Sequence, residues 1–170
     1  MNSDSGSTSP VSSEGAVLGA NLDSQARQAL CRELRLALLS EFGARAICDH
    51  LGRLVEDRAL GDSLERVNRE GSKVVQEVQS MLRTLGVRPR MTSFRRRVLA
   101  RALAMVARIS GPRPVVRIAQ QACETVARWY LQYAFFLVQH GEVELARRCE
   151  GLAEIKQRHA NSLGAWTRHG

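Results

Sequence analysis

Long stretches of this chain repeat apolar residues at steps of three and four, and that repeat constrains the fold more than any other feature. The clearest example runs through Leu64, Val67, Gly71, Val74 and Val78. Such spacing places apolar side chains on one face of an α-helix, whereas a half-buried strand needs strict alternation. Only 5% of the residues are aromatic. The sequence therefore predicts an all-α protein.

Four segments have the length and the stripe of a main helix. The first begins at Asp23 or Ser24 and runs to about Asp57, and the second is capped by Asp62 or Ser63. The remaining boundaries put the end of the second helix at Gly86 and Pro89, the next main helix at 114–139 and the last one after Gly141. Helices of this length, roughly 30 to 50 Å, suit an antiparallel four-helix bundle.

A shorter segment lies between the second and third main helices. Residues 93–110 read SFRRRVLARALAMVARIS, in which arginines flank an apolar face. Ferritin-like bundles connect their two halves by a crossover of this kind. We therefore predict a ferritin-like four-helix bundle over residues 23–165, with a short amphipathic helix in the crossover.

The first 22 residues differ from the rest in composition. They are rich in Ser and Gly and lack both a positive start and an apolar core, so they match neither a signal peptide nor a membrane span. We predict a disordered tail over residues 1–22. No later segment reaches the length of uncharged apolar residues that a span needs, which leaves a cytoplasmic protein or one that lies on a membrane surface.

The net charge indicates the kind of partner, and the cysteines indicate the redox compartment. The net charge is +8, almost all from arginine, because Lys73 and Lys156 are the only lysines. This favours acidic partners such as phosphates, anionic lipid or an acidic protein. The arginines are spread over every helix without a nucleic-acid-binding motif, which disfavours nucleic acid. The four scattered cysteines read as small buried hydrophobes in a reducing compartment: Cys31, Cys48, Cys123 and Cys149.

Three polar residues lie on otherwise apolar stripes. Glu41 is on the first helix, and Lys156 and His159 are on the last. A bare buried charge is expensive, so each of them needs a partner, a metal or a route to solvent.

Three segments carry a resemblance to a known family. LRLALLSEFGA at 34–44, LGVRP at 85–89 and ACETVARWYLQY at 122–133 resemble, in order and spacing, motifs of the ferritin-like di-iron hydroxylase that acts on demethoxyubiquinone in ubiquinone synthesis. The similarity extends from Leu34 to His159. It implies a bundle whose four helices would place carboxylates and imidazoles around two iron ions.

Most of the ligand positions that the resemblance implies hold other residues. The glutamate and histidine of the second helix fall on Gly71 and Val74, and the third-helix glutamate falls on Cys123, beside Glu124. If His159 matches the family's histidine, its partner glutamate falls on Lys156. The weak metal candidates that remain are Glu41, Glu124 and His159.

These departures imply that di-iron hydroxylation has been lost, because Glu41 and His159, the two ligands retained at the family's positions, do not hold two iron ions and an ammonium repels cations. Lys156 suggests a replacement, a buried ion pair with Glu41; alternatively Lys156 reaches solvent and Glu41 lies near a helix end. We expect no cofactor and a non-catalytic role that binds a quinone-like or lipidic ligand or a protein partner, including a second copy of the chain. The alternative is an active di-iron or single-metal hydroxylase in ubiquinone synthesis, and the second alternative is a basic helical protein that binds nucleic acid.

A surface for a membrane or ligand is also predicted. Residues 94–110 have arginines flanking an apolar face, and the third main helix has more aromatic residues near its end than one helix face can bury, so the two could form one such surface. Alternatively, the basic helix packs on the bundle and its arginines are only solvated. The candidate residues are Phe94, Arg95, Arg96, Arg97, Arg101, Trp129, Tyr133 and Phe136.

Overall fold

A computed structural model describes residues 18–89, Met105 and residues 110–169. This part of the chain forms four α-helices, α1 (Ser24–Gly52), α2 (Arg58–Thr84), α3 (Pro112–Gln139) and α4 (Val143–His169). No strand occurs among these residues, so the all-α prediction is confirmed. The predicted tail up to residue 17 and the predicted short helix at 93–110, apart from Met105 and Ser110, lie outside the described residues.

The link between α1 and α2 differs from the prediction. α1 ends at Gly52, and Asp57, expected at the end of the first helix, instead caps α2. Its Oδ1 accepts a hydrogen bond from the Leu60 backbone N–H at 3.0 Å. Gly61, Asp62 and Ser63 lie inside α2, so neither Asp62 nor Ser63 is the cap that the sequence predicted. An aspartate cap stabilises a helix start by about 1 kcal/mol, which offsets the similar cost of one glycine in the helix.

Two glycines end helices as predicted. Gly86 follows α2 and Gly141 follows α3, with φ of 79° and 74°. These left-handed conformations let the next residue donate back to the last helical turn: Val87 N–H to the Leu82 carbonyl at 2.8 Å, and Glu142 N–H to the Leu137 carbonyl at 2.9 Å. Each of these helix ends therefore depends on one glycine.

The helices pack unequally. α1 packs along α2 and α3 packs along α4 as two hairpins, and α2 joins the hairpins by contacting α4. Contact between α1 and α3 is the sparsest of the four interfaces. The bundle is consequently closed on the α2–α4 side and looser between α1 and α3.

Residues 18–22, which the sequence analysis assigned to the tail, form a turn that contacts the α3–α4 reversal. The buried Glu142 carboxylate accepts the backbone N–H groups of Gly19 and Asn21, both at 2.8 Å. Leu22 is buried next to this turn. The packed part of the chain thus begins before Asp23, because a carboxylate distant in sequence supplies the acceptors that the turn needs.

The apolar core consists of two clusters at opposite ends of the bundle. One is centred on residues such as Leu34, Val78 and Leu137, and the other on Leu51 and Leu64. All four cysteines are buried and unpaired, in agreement with their reading as small hydrophobes. Between the two clusters lies a layer of polar side chains.

Candidate functional site

The layer between the two core clusters is built from four residues, and we refer to it as the central polar layer. Glu41 comes from α1, Glu70 from α2, and Lys156 and His159 from α4. Lys156 and His159 are three residues apart and therefore lie on one face of α4. The layer joins three of the four helices at mid-height.

Glu41 and Lys156 form a buried ion pair across the bundle. Lys156 Nζ donates to Glu41 Oε2 at 2.8 Å, and the side chains are only 3% and 1% exposed for Lys156 and Glu41. Burial by itself would lower the pKa of Lys156, but the Glu41 carboxylate outweighs it and the pKa is raised. Lys156 does not reach solvent here, and the two residues that the sequence suggested as a pair meet in the structure.

His159 lies next to this pair and bonds to Glu70. Its Nε2 is 2.9 Å from Glu70 Oε2, and the histidine is buried. Burial, together with the Lys156 ammonium, lowers the pKa of His159 to about 4, even though Glu70 opposes the change. The imidazole is therefore neutral at pH 7. Since an ionised carboxylate only accepts hydrogen bonds, Nε2 holds the proton and Nδ1 is left as an acceptor.

Three buried polar atoms in and near the layer have no hydrogen-bond partner within the described chain. They are Glu41 Oε1, His159 Nδ1 and the Tyr130 hydroxyl. Burial raises the pKa of Tyr130 well above its ordinary value, and the Glu41 carboxylate adds to the effect, so the phenol remains a donor. Buried polar groups normally have partners. This region therefore presents two acceptors and one donor to a small polar group.

An apolar groove opens between α1 and α3, where the helices are least closely packed. Its volume is about 360 Å³, within the usual range for small-molecule sites. All four helices contribute to its walls and floor, which are formed mainly by Gly43, Ala44, Ile47, Cys48, Val67, Ile118, Ala119, Ala122, Cys123 and Leu163. We refer to it as the α1–α3 groove.

The two cysteines connect the groove to the polar layer. Cys48 and Cys123 line the groove. The charges of Lys156 and Glu41 both act on the pKa of each thiol, Lys156 lowering it and Glu41 raising it. Burial, with Cys123 nearby, raises the pKa of Cys48 to about 12. Burial likewise raises the pKa of Cys123. Both thiols remain neutral at pH 7 and add to the apolar wall rather than acting as nucleophiles.

Gly71 and Val74, which the resemblance matches to the second-helix ligands, both lie in closely packed surroundings. Val74 is fully buried in the core. A Cβ at Gly71 would lie 3.2 Å from Cγ of Arg45, and Arg45 Nε donates to Asn68 Oδ1 at 3.2 Å. The absence of a side chain at Gly71 therefore makes room for the Arg45 chain beside the polar layer.

Glu124, the candidate metal ligand on the third helix, forms a hydrogen bond with another side chain. Glu124 Oε1 accepts from Gln120 Nε2 at 2.9 Å, one turn earlier on the same helix. Glu41, which remains from the predicted ligands, is bound by an ammonium. Among the described residues no group of three or more His, Cys, Asp or Glu side chains is placed to share one metal ion. The residues present at these positions do not fit a di-iron centre, since Gly71 and Val74 have no donor and Lys156 is a cation.

The predicted aromatic surface on α3 is only partly exposed. Tyr133 is buried and lies edge-on to Tyr130, with ring centres 6.1 Å apart, so it does not belong to an outer surface. Trp129 and Phe136 are half-buried against the core. Phe135, which the prediction omitted, is 66% exposed. The remaining predicted surface residues, Phe94, Arg95, Arg96, Arg97 and Arg101, lie outside the described residues.

Sequence reasoning missed two residues of the site. Glu70 reads as part of a solvated face, but it bonds to His159 and its side chain is only 31% exposed. Tyr130 is a buried residue of α3, and nothing in the sequence indicates that its hydroxyl lacks a partner. The signal available for Glu70 was its position one residue before Gly71, at the edge of the α2 stripe.

Within the described chain, no helix is long and apolar enough to cross a membrane. Comparisons of the sequence and the structure with protein-family models, curated proteins and solved structures found no match.

Proposed function

We propose that this chain is a ferritin-like bundle, related to the demethoxyubiquinone hydroxylase but without its di-iron chemistry, that binds a quinone-like or lipidic molecule. The apolar part of the ligand would occupy the α1–α3 groove, and its polar head would approach the central polar layer. The observation that supports this most is the groove itself, because Cys48 and Cys123 in its wall are close enough to Glu41 for that charge to act on their thiols, and Glu41 Oε1 lacks a partner.

The chemistry of the two parts fits an amphipathic ligand. The groove offers mostly carbon and neutral sulfur atoms, which favour an acyl, isoprenoid or ring body through loss of exposed apolar surface. The unpartnered Glu41 Oε1 and Tyr130 hydroxyl offer an acceptor and a donor. A ligand oxygen that fills these bonds would offset the cost of leaving them unmade.

The same layer argues against oxygenase activity. The Glu41 carboxylate would be a required iron ligand, but Lys156 holds it at 2.8 Å. A cation entering there would have to displace a buried ammonium and then leave that ammonium unpaired, which costs several kcal/mol. The proposed role is therefore binding rather than catalysis.

Binding of a decyl-substituted benzoquinone tests the proposal. Trp166 packs against the core cluster that lines the groove, so quenching of its fluorescence would report occupancy. Ala122→Phe places a large ring in the groove from an exposed position of α3. The matched control is Gln121→Phe, which adds the same ring at the neighbouring exposed position outside the groove. We expect at least about tenfold weaker binding in Ala122→Phe only.

Two results would reject this function. Equal affinities of wild type, Ala122→Phe and Gln121→Phe would show that the quinone does not use the groove. Near-stoichiometric iron in protein purified after growth with ample iron, and its loss in Glu41→Ala, would instead support the alternative of an active di-iron hydroxylase.

A second candidate is self-association through α3. Leu131, Phe135 and Val138 are more than half exposed and lie at steps of four and three, which gives one apolar stripe on the outside of the helix. If this stripe pairs two copies, sedimentation velocity should find a dimer that Phe135→Ser converts to a monomer. A wild type that stays monomeric at high concentration would exclude this pairing.

A further inference from the structure

A second cavity lies between the start of α1 and the end of α2. Its volume is about 500 Å³, and we call it the basic cleft. It is separate from the α1–α3 groove and shares no lining residue with it. The residues that define its character are Leu22, Arg27, Cys31, Arg35, Leu85 and Val87.

Two arginines run along one wall of the cleft. Arg27, Cys31 and Arg35 are four residues apart and so lie on one line of α1. All three residues line the cleft, and burial raises the pKa of the Cys31 thiol, an effect that the two positive charges partly offset. The cleft is therefore positively charged along its α1 wall.

These charges are not neutralised by the described part of the chain. Arg27 Nη2 donates to the Gly19 carbonyl at 2.8 Å, and neither Arg27 nor Arg35 forms an ion pair with a carboxylate there. The neighbouring acidic groups have other partners. Asp23 caps α1 through the Ala26 N–H, and Glu142 accepts the backbone N–H groups of the 18–22 turn.

The floor and far side of the cleft are apolar. Leu22 and Leu85 are buried and Val87 is half-buried beside them. A simple inorganic anion would use the arginines only and would leave this surface wet, whereas a neutral apolar molecule would leave the arginines unused. The combination favours a ligand that has both parts.

We propose that the basic cleft binds a small, freely dissolved amphipathic anion, with its carboxylate or phosphate between Arg27 and Arg35 and its apolar body on Leu22, Leu85 and Val87. This site does not depend on the function proposed for the groove. The positive charge draws in the anion, and burial of its apolar part supplies the remaining affinity.

Titration of ¹⁵N-labelled protein with octanoate tests the site. Acetate provides the anion without the apolar body, and octanol the apolar body without the charge. Octanoate should shift amides of residues 22–35 and 85–87, and both controls should bind at least about tenfold more weakly. Arg27→Gln and Arg35→Gln should each weaken octanoate binding about fivefold, the effect of one exposed charge contact.

The matched control is Arg32→Gln, which removes the same charge from α1 at an exposed position outside the cleft. Its octanoate affinity should stay within about twofold of wild type. Any of three results would overturn the proposal: octanol binding as tightly as octanoate, equal weakening by Arg32→Gln, or shifts confined to residues 43–48 and 118–123 of the groove. Binding to phosphatidylglycerol vesicles without binding to octanoate would also overturn it, in favour of a membrane contact.

Discussion

Replacing the buried ion pair tests whether the central polar layer holds its charges as a unit. The changes are Glu41→Leu, Lys156→Met and the double variant. At an effective dielectric constant of about 20, two charges 4 Å apart attract by about 4 kcal/mol, and desolvation of the two ions costs a comparable amount or more. The intact pair at 2.8 Å and at most 3% exposure should consequently contribute little net stability.

The single variants should behave differently from the double one. Each leaves a charge in the core with no partner, so each should lower the free energy of unfolding by about 3–5 kcal/mol. The double variant replaces both charges with apolar groups of similar size and should lie within about 1–2 kcal/mol of wild type, or above it. Urea unfolding of the four proteins gives the coupling energy directly.

An exposed pair provides the control. Arg53 and Asp49 lie 2.9 Å apart with 72% and 47% of their side chains exposed, so Asp49→Ala should cost less than about 1 kcal/mol. If Glu41→Leu and Lys156→Met each lose no more than this control, or if their losses simply add in the double variant, the two charges are not coupled in the core and the reasoning fails.

Three further predictions concern single residues. His159 has a pKa of about 4 in the fold and an ordinary value of 6.5, so stability should fall by up to roughly 3 kcal/mol as the pH drops from 6.5 to 4; His159→Gln should remove this part of the pH dependence of urea unfolding, and an unchanged slope would contradict it. Gly71→Ala should gain the roughly 1 kcal/mol of helix propensity only in an Arg45→Ala background, because the new Cβ would crowd Arg45; an equal gain in both backgrounds would show no crowding. Glu142→Ala should lose about 1–3 kcal/mol by leaving two backbone N–H groups without an acceptor, and hydrogen exchange at Gly19 should speed up, whereas unaltered protection there would refute the contact.

Periodicity and glycine chemistry determined much of the fold from sequence. The apolar stripe of α2 placed Val74 and Val78 in the core, and Gly86 and Gly141 marked helix ends because their backbone reaches conformations that other residues avoid. These signals are local, so they do not depend on which helices become neighbours. The α1–α2 link was predicted wrongly: Asp62 or Ser63 was expected to cap the second helix, but Asp57 caps it, because all three residue types suit a cap.

Some residues of the candidate site were likewise indicated by the sequence, whereas others were identified only from the tertiary structure. Glu41 and Lys156 stood out in the sequence because a charge on an apolar stripe requires a partner, and that requirement identified both members of the pair. What the sequence did not determine was Glu70, whose place at the edge of its stripe suits water equally well until α4 brings His159 to within 2.9 Å. The α1–α3 groove and the basic cleft depend on the spacing between helices, and only the packing of the whole bundle fixes that spacing.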